Sequence, residues 1–145
     1  MSLHVLGAVD PGGTTGLARV YHVADVPRSC QLAQVECWDV KGGRKDIDPS
    51  GVYRFITDTP PELTTMWVVE DFNSTGQLSR DGKNTIELVG IVIGICVALG
   101  LTYEVVQPQA RYCELPEAQT REGRVHETDA LAHGLARLRR ERCKG

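Results

Sequence analysis

Leu3 to Asp10 reads L-H-V-L-G-A-V-D, an apolar run that ends in a carboxylate and passes directly into Pro11-Gly12-Gly13. Such a run suits a buried strand closed by a turn. The segments that follow keep the strand period. Thr15 to Val23 sets Leu17, Arg19, Tyr21 and Val23 against Ala18, Val20 and His22. Gln31 to Val40 sets Ala33, Val35 and Cys37 against Gln34, Glu36 and Trp38. Side chains that alternate in this way stand on opposite faces of a sheet. The short, turn-rich links predict an antiparallel meander of three strands.

Helices enter after Asp48-Pro49. Asp48 is read as an N-cap with Pro49 at the first helical position, Val52, Phe55 and Ile56 give the helix an apolar face, and Thr59-Pro60-Pro61 ends it. Thr65 to Phe72 reads as a fourth strand and polar Asn73 to Lys83 as a loop. Asn84 with Glu87 resembles a capping box, so the spacing predicts a long helix over 85–99 that Gly100 stops. Leu101 to Val106 reads as a fifth strand. A last helix over His126 to Arg142 carries Leu131, Leu135 and Leu138 at helical spacing. The order is β-β-β-α-β-α-β-α, an α/β fold with a mixed five-stranded sheet, in a single domain spanning 1–145.

Composition removes several alternatives. The 145 residues are 41% hydrophobic and 24% charged, with no low-complexity stretch, which excludes disordered and collagen-like classes. A net charge of -3 means that nucleic acid could be held only by a local basic surface or through bound cations. Aromatic content of 6% disfavours a protein built on stacking single-stranded bases. The five cysteines are odd in number and form no C-x-x-C pair, so reduced thiols are expected. Met1 to Asp10 has neither a basic start nor a small-residue cleavage site, so no secretory signal is expected. Leu88 to Tyr103 is bracketed by Glu87 and Glu104 and is shorter than the roughly 18–20 residues a membrane span needs. No membrane association and a cytoplasmic location are therefore expected.

Three acids stand out by position: Asp10 at the end of the first strand, Glu70 near the end of the fourth, and Asp129 on the last helix. Singly each has an ordinary reading, as a turn starter, a solvent-facing strand end and a helix-surface charge. Together they pose a physical problem. Carboxylates at the ends of buried strands lose hydration and repel one another unless something compensates them. A divalent cation removes both costs, and oxygen ligands of this kind suit Mg²⁺ or Mn²⁺. Two such ions about 3.5–4 Å apart would clamp the attacking water and the leaving oxygen of a phosphodiester.

The blocks L-G-A-V-D-P-G-G-T-T-G-L-A, V-V-E-D-F and H-E-T-D-A-L-A-H-G-L resemble the active-site blocks of RuvC-type Holliday junction resolvases, members of the RNase H-like superfamily. The resemblance runs from Leu3 to about Leu138, and the short acidic chain looks like the phage-encoded branch. It implies an RNase H-like sheet with strand two antiparallel, and a dimer that nicks two strands of like polarity at a four-way junction. The chemistry implied is hydrolysis leaving a 5′-phosphate and a 3′-hydroxyl, with two Mg²⁺ ions for which Mn²⁺ substitutes. Asp10 would bridge the metals, and Glu70 and Asp129 would each hold one. His126, three residues before Asp129, stands where the family carries an acid or a histidine serving the same site. Asp71 is sent to the face opposite Glu70. His133, four residues after Asp129, is either a packed helix histidine or a partner and proton carrier for the site.

DNA contacts would come from Arg80 and Lys83 after the fourth strand and from Arg137 and Arg140 on the last helix. Phe72 lies where the family places an aromatic that wedges into the junction, or is simply the last core residue of its strand. Bacterial members carry a lysine-bearing segment before the last helix. Here Gln107 to Arg124 has no lysine and offers Arg111, Arg121 and Arg124. Gly90, Gly94 and Ala98 recur every four residues on the long helix, which either packs on a second copy of the chain, giving a homodimer through helix 85–99, or is wholly buried in one subunit. Two other functions fit some of these features. A flap or fork endonuclease of the same fold would need no symmetric dimer. A nucleotide-binding phosphotransferase would use D-P-G-G-T-T-G as a phosphate loop, but needs a second domain and further loops.

Overall fold

The computed structural model describes residues 2–23, 30–40, 47–72, 80–107 and 126–143. Among them the order is β1 (Leu3–Asp10), β2 (Thr14–Val23), β3 (Cys30–Asp39), α1 (Ser50–Asp58), β4 (Thr64–Glu70), α2 (Arg80–Ala98), β5 (Tyr103–Val106) and α3 (His126–Cys143). The strands form one sheet in the order β3-β2-β1-β4-β5. β2 is antiparallel to both β1 and β3, while β1, β4 and β5 run parallel. The β-β-β-α-β-α-β-α reading and the meander are what the chain adopts.

β1 is the middle strand, which explains its nearly unbroken apolar sequence. Val5, Leu6, Ala8 and Val9 are all fully buried because both faces of the strand are covered. On one face Val9, Leu17, Trp67 and Val69 pack with Val52, Phe55 and Ile56 of α1 and Leu88, Val89 and Val92 of α2. On the other, Leu6, Ala8, Ala18, Met66, Val68 and Val106 pack with Ala130 of α3. α3 crosses β1, β2, β3 and β4. It comes close because residue 134 is glycine: a Cβ there would stand 3.0 Å from Val20 Cγ2 and 3.4 Å from Leu6 Cδ2.

Several boundaries differ from the sequence reading, and β5 starts at Tyr103 rather than Leu101. α1 begins one residue later than expected, with Pro49 in the N-cap position and no side-chain cap. Asp48 instead accepts the Ser50 N–H at 3.0 Å from outside the helix, and hydrogen bonding from Ser50 holds its carboxyl below the ordinary value. β4 stops at Glu70, leaving Asp71 and Phe72 beyond the strand. α2 starts at Arg80, so Asn84 is not a cap and the polar segment holding Arg80 and Lys83 is helical rather than loop. The polarity of that segment tracks exposure, as at Lys83, and only Gly82 opposes helix there, by about 1 kcal/mol.

α2 is not wholly buried in the subunit. Leu88, Val92 and Cys96 face the core, while Ile86, Gly90, Gly94 and Val97 form an outward stripe on which Val97 is 64% exposed. The helix ends where Gly100 takes φ 68°. Leu101 N–H donates to Cys96 C=O at 2.8 Å and Gly100 N–H to Val97 C=O at 3.2 Å, the paired bonds of a Schellman cap. No helix among the described residues is long and apolar enough to cross a membrane.

Candidate functional site

Strand register brings the first two acids to one rim of the sheet. Val9 pairs with Val69 in parallel register, so the next residues, Asp10 and Glu70, close neighbouring strands at the same end. Two residues earlier on each strand, Ala8 and Val68 face α3, and alternation puts Asp10 and Glu70 on that face too. Asp129 lies in the first turn of α3, beside Ala130, which packs on the same face. All three carboxylates are buried, with exposures of 8% for Asp10, 6% for Glu70 and 5% for Asp129.

His133 belongs to the same place. It lies one helical turn after Asp129 and is 0% exposed. Its Nε2 stands 3.4 Å from Glu70 Oε2, and neither ring nitrogen has a hydrogen-bond partner among the described residues. The spacing from Asp129 was the signal for this residue, but spacing does not show that the ring is buried against Glu70.

The turn after Asp10 closes on itself. Thr15, fully buried, donates its hydroxyl to Gly12 C=O at 3.0 Å and accepts the Gly12 N–H at 3.3 Å. The Gly12 amide is thus committed to Thr15, which weighs against the phosphate-loop reading. Asp71 follows just beyond the end of β4. Its N–H donates to Val106 C=O at 2.7 Å, and its carboxylate accepts the Phe72 N–H at 2.8 Å. Phe72 itself is partly exposed just beyond β4.

The expected DNA-contacting residues separate. Lys83 is exposed on the first turns of α2. Arg137 is not a solvent-facing cation: its Nε donates to Glu104 Oε2 at 2.7 Å, tying α3 to β5, and its side chain is 16% exposed. The carboxylate on β5 thus occupies the Nε of this guanidinium. The backbones of His126, Arg80 and Arg140 lie within helices, but their side chains fall outside the described residues, as do Arg111, Arg121 and Arg124 altogether.

A cation must be tested against this geometry. Among the described residues no three His, Cys, Asp or Glu side chains are gathered closely enough to hold a metal ion. The donor types nevertheless fit a hard or borderline divalent cation: three buried carboxylates share one face, and a buried imidazole whose nitrogens make no hydrogen bond among the described residues stands beside Glu70.

No protein-family model matches the sequence, and no curated protein matches it either. Solved structures do. Thermus thermophilus RuvC in complex with a Holliday junction substrate superposes with a TM-score of 0.63 at 14% identity, over 97% of this chain and 96% of that one. A second Thermus thermophilus RuvC structure gives 0.59 at 16% identity, with the same coverages. These likenesses establish the fold, a RuvC-like and RNase H-like mixed sheet with helices on both faces.

Proposed function

We propose that this chain is a divalent-metal-dependent, structure-selective DNA endonuclease that cleaves branched DNA as a Holliday junction resolvase, leaving a 5′-phosphate and a 3′-hydroxyl. One observation carries the reading. Asp10 and Glu70 end neighbouring parallel strands, Asp129 comes to the same face on α3, and all three are buried. A fold has no packing use for three buried acids on one face. Their desolvation and mutual repulsion are relieved when cations join them.

Asp10, Glu70, Asp129 and His126 would hold two Mg²⁺ ions, or Mn²⁺ in their place. When bound, such ions supply the positive charge that makes a water nucleophilic and stabilises the departing oxygen of a phosphodiester. The protein's own part is to hold the carboxylates on rigid strands, with α3 seated over them by Gly134. The buried setting of these side chains strengthens their pull on a cation. DNA would be positioned by Arg80, Lys83 and Arg140, with Phe72 at the junction centre. The outward stripe of α2, where a Cβ on Gly90 or Gly94 would meet nothing within 4 Å, suits a second copy of the chain, giving a homodimer with two sites. The whole chain is read as one nuclease domain of the short phage type, acting in the cytoplasm of a bacterial or phage-infected cell.

The test is cleavage of synthetic four-way, flap and linear duplex DNA with Mg²⁺, Mn²⁺ or EDTA. The four-way junction is expected to be cut with either ion, the linear duplex hardly at all, and nothing in EDTA. Asp10→Asn should abolish cutting and keep junction binding. Metal-independent cutting, or full activity in Asp10→Asn, would refute the assignment. Preference for flaps by a monomeric protein would transfer it to a flap or fork nuclease.

A further inference from the structure

The site face holds a donor that the nuclease reading leaves unused. His133 is fully buried, yet neither Nδ1 nor Nε2 makes a hydrogen bond among the described residues. A buried polar nitrogen without a partner costs on the order of 1–3 kcal/mol, so a histidine serving only to fill space would be replaced at a profit by leucine or methionine. The ring is also not placed at random. Its Nε2 points to within 3.4 Å of Glu70 Oε2, without the alignment of a hydrogen bond.

That separation has a simple meaning. Two ligand atoms each about 2.1 Å from one cation stand about 3.0 Å apart at a right angle and about 3.4 Å apart at the tetrahedral angle. At 3.4 Å, Nε2 and Oε2 stand within about 0.4 Å of the spacing of adjacent ligands on one octahedral Mn²⁺ or Mg²⁺ ion. Resting on the metal-dependent reading above, we propose that His133 Nε2 and Glu70 Oε2 bind one shared divalent cation. The imidazole then biases that position toward a first-row transition ion such as Mn²⁺ and away from Mg²⁺, which favours oxygen ligands. His133 thereby sets which metal the site selects, and does so from the core side of α3.

The test uses Mn²⁺ and the full-length chain. Affinity is read by EPR from the disappearance of free Mn²⁺, and directly bound nitrogen by pulsed EPR. The wild-type protein with Mn²⁺ should show imidazole nitrogen coupling, and His126→Ala should keep it. Adding His133→Asn to His126→Ala should remove it, and His133→Asn alone should lower Mn²⁺ affinity about tenfold, with Mg²⁺ affinity, measured by competition, changing far less. Nitrogen coupling that vanishes in His126→Ala, or that survives when His133→Asn is added to it, overturns the proposal and leaves the nuclease reading standing. Failure of the wild-type protein to bind any Mn²⁺ overturns both. If variants carrying His133→Asn do not fold by circular dichroism, His126→Ala still decides, since it leaves His133 in place.

Discussion

Gly7 and Trp67 are register partners on β1 and β4, three residues before Asp10 and Glu70 respectively. A Cβ at position 7 would lie 2.4 Å from Trp67 Cδ2 and Cε3. Carbon atoms pack at about 3.5–4.0 Å, so Gly7→Ala forces the indole back by about 1.1 Å. The indole has nowhere to go, being fully buried and set edge-on against Phe55 at 6.3 Å. Overpacking of this kind costs about 1–3 kcal/mol, and here the upper end applies. Alanine returns about 0.5–1 kcal/mol by restricting the unfolded chain. The net loss is about 2–2.5 kcal/mol, or roughly 6–10 °C in thermal midpoint for a domain of this length. Circular dichroism melts of Gly7→Ala, Trp67→Leu and the double variant form the assay. The alanine penalty should shrink by at least about 1 kcal/mol in the Trp67→Leu background. A Gly7→Ala protein melting within about 2 °C of wild type, or a penalty unchanged by Trp67→Leu, would refute the reasoning. Divalent-ion affinity should fall in the single variant as well, because the strand pair that splays is the pair that ends in the two acids.

Other perturbations have equally defined outcomes. Asp10→Asn should raise the thermal midpoint in EDTA, by removing one buried charge from the shared face, and lose that advantage when Mg²⁺ is added. Gly100→Ala should cost about 1–2 kcal/mol in a chemical melt, from its positive φ alone, since nothing lies within 4 Å of the added atom. A double-mutant cycle on Arg137→Met and Glu104→Gln should give a coupling of about 1 kcal/mol or less, the pair being partly solvated, and Arg137→Met should leave the salt dependence of junction binding unchanged. Burial pushes the Cys96 thiol up to about 11 from its ordinary 9.0, so a disulfide reagent at pH 8 should modify exposed Cys37 quickly and Cys96 only as the protein unfolds. Because the folded value is the higher one, the Cys96 contribution to stability is complete below about pH 9 and is lost as pH rises to about 11. Cys96→Ala should flatten that part of the stability curve.

The sheet was legible because β1 and β2 carry their instructions locally. Alternation at Leu17 to Val23 shows which side chains share a face, and the run from Val5 to Val9 shows a strand covered on both sides. The start of α2 was less legible, since Arg80, Asp81, Lys83 and Asn84 are as acceptable in a solvated helix turn as in a loop. Arg137 shows a different limit. A guanidinium on a basic helix reads the same whether it meets a phosphate or Glu104, and its partner lies 33 positions away in sequence. The candidate site divides along the same line. Asp10 and Glu70 are marked by strand ends and Asp129 by its helix, but the approach of His133 to Glu70 is a product of how α3 is seated on the sheet.

That seating also fixes when the acidic face is assembled. β1 and β4 leave the ribosome well ahead of α3, and at about 5–20 residues per second the wait between Glu70 and Asp129 is roughly 3–12 s. Throughout that wait the growing polypeptide carries Asp10 and Glu70 at the ends of β1 and β4 with no helix to cover them. A copy halted before α3 therefore lacks the helix that brings Asp129 to the buried acidic face.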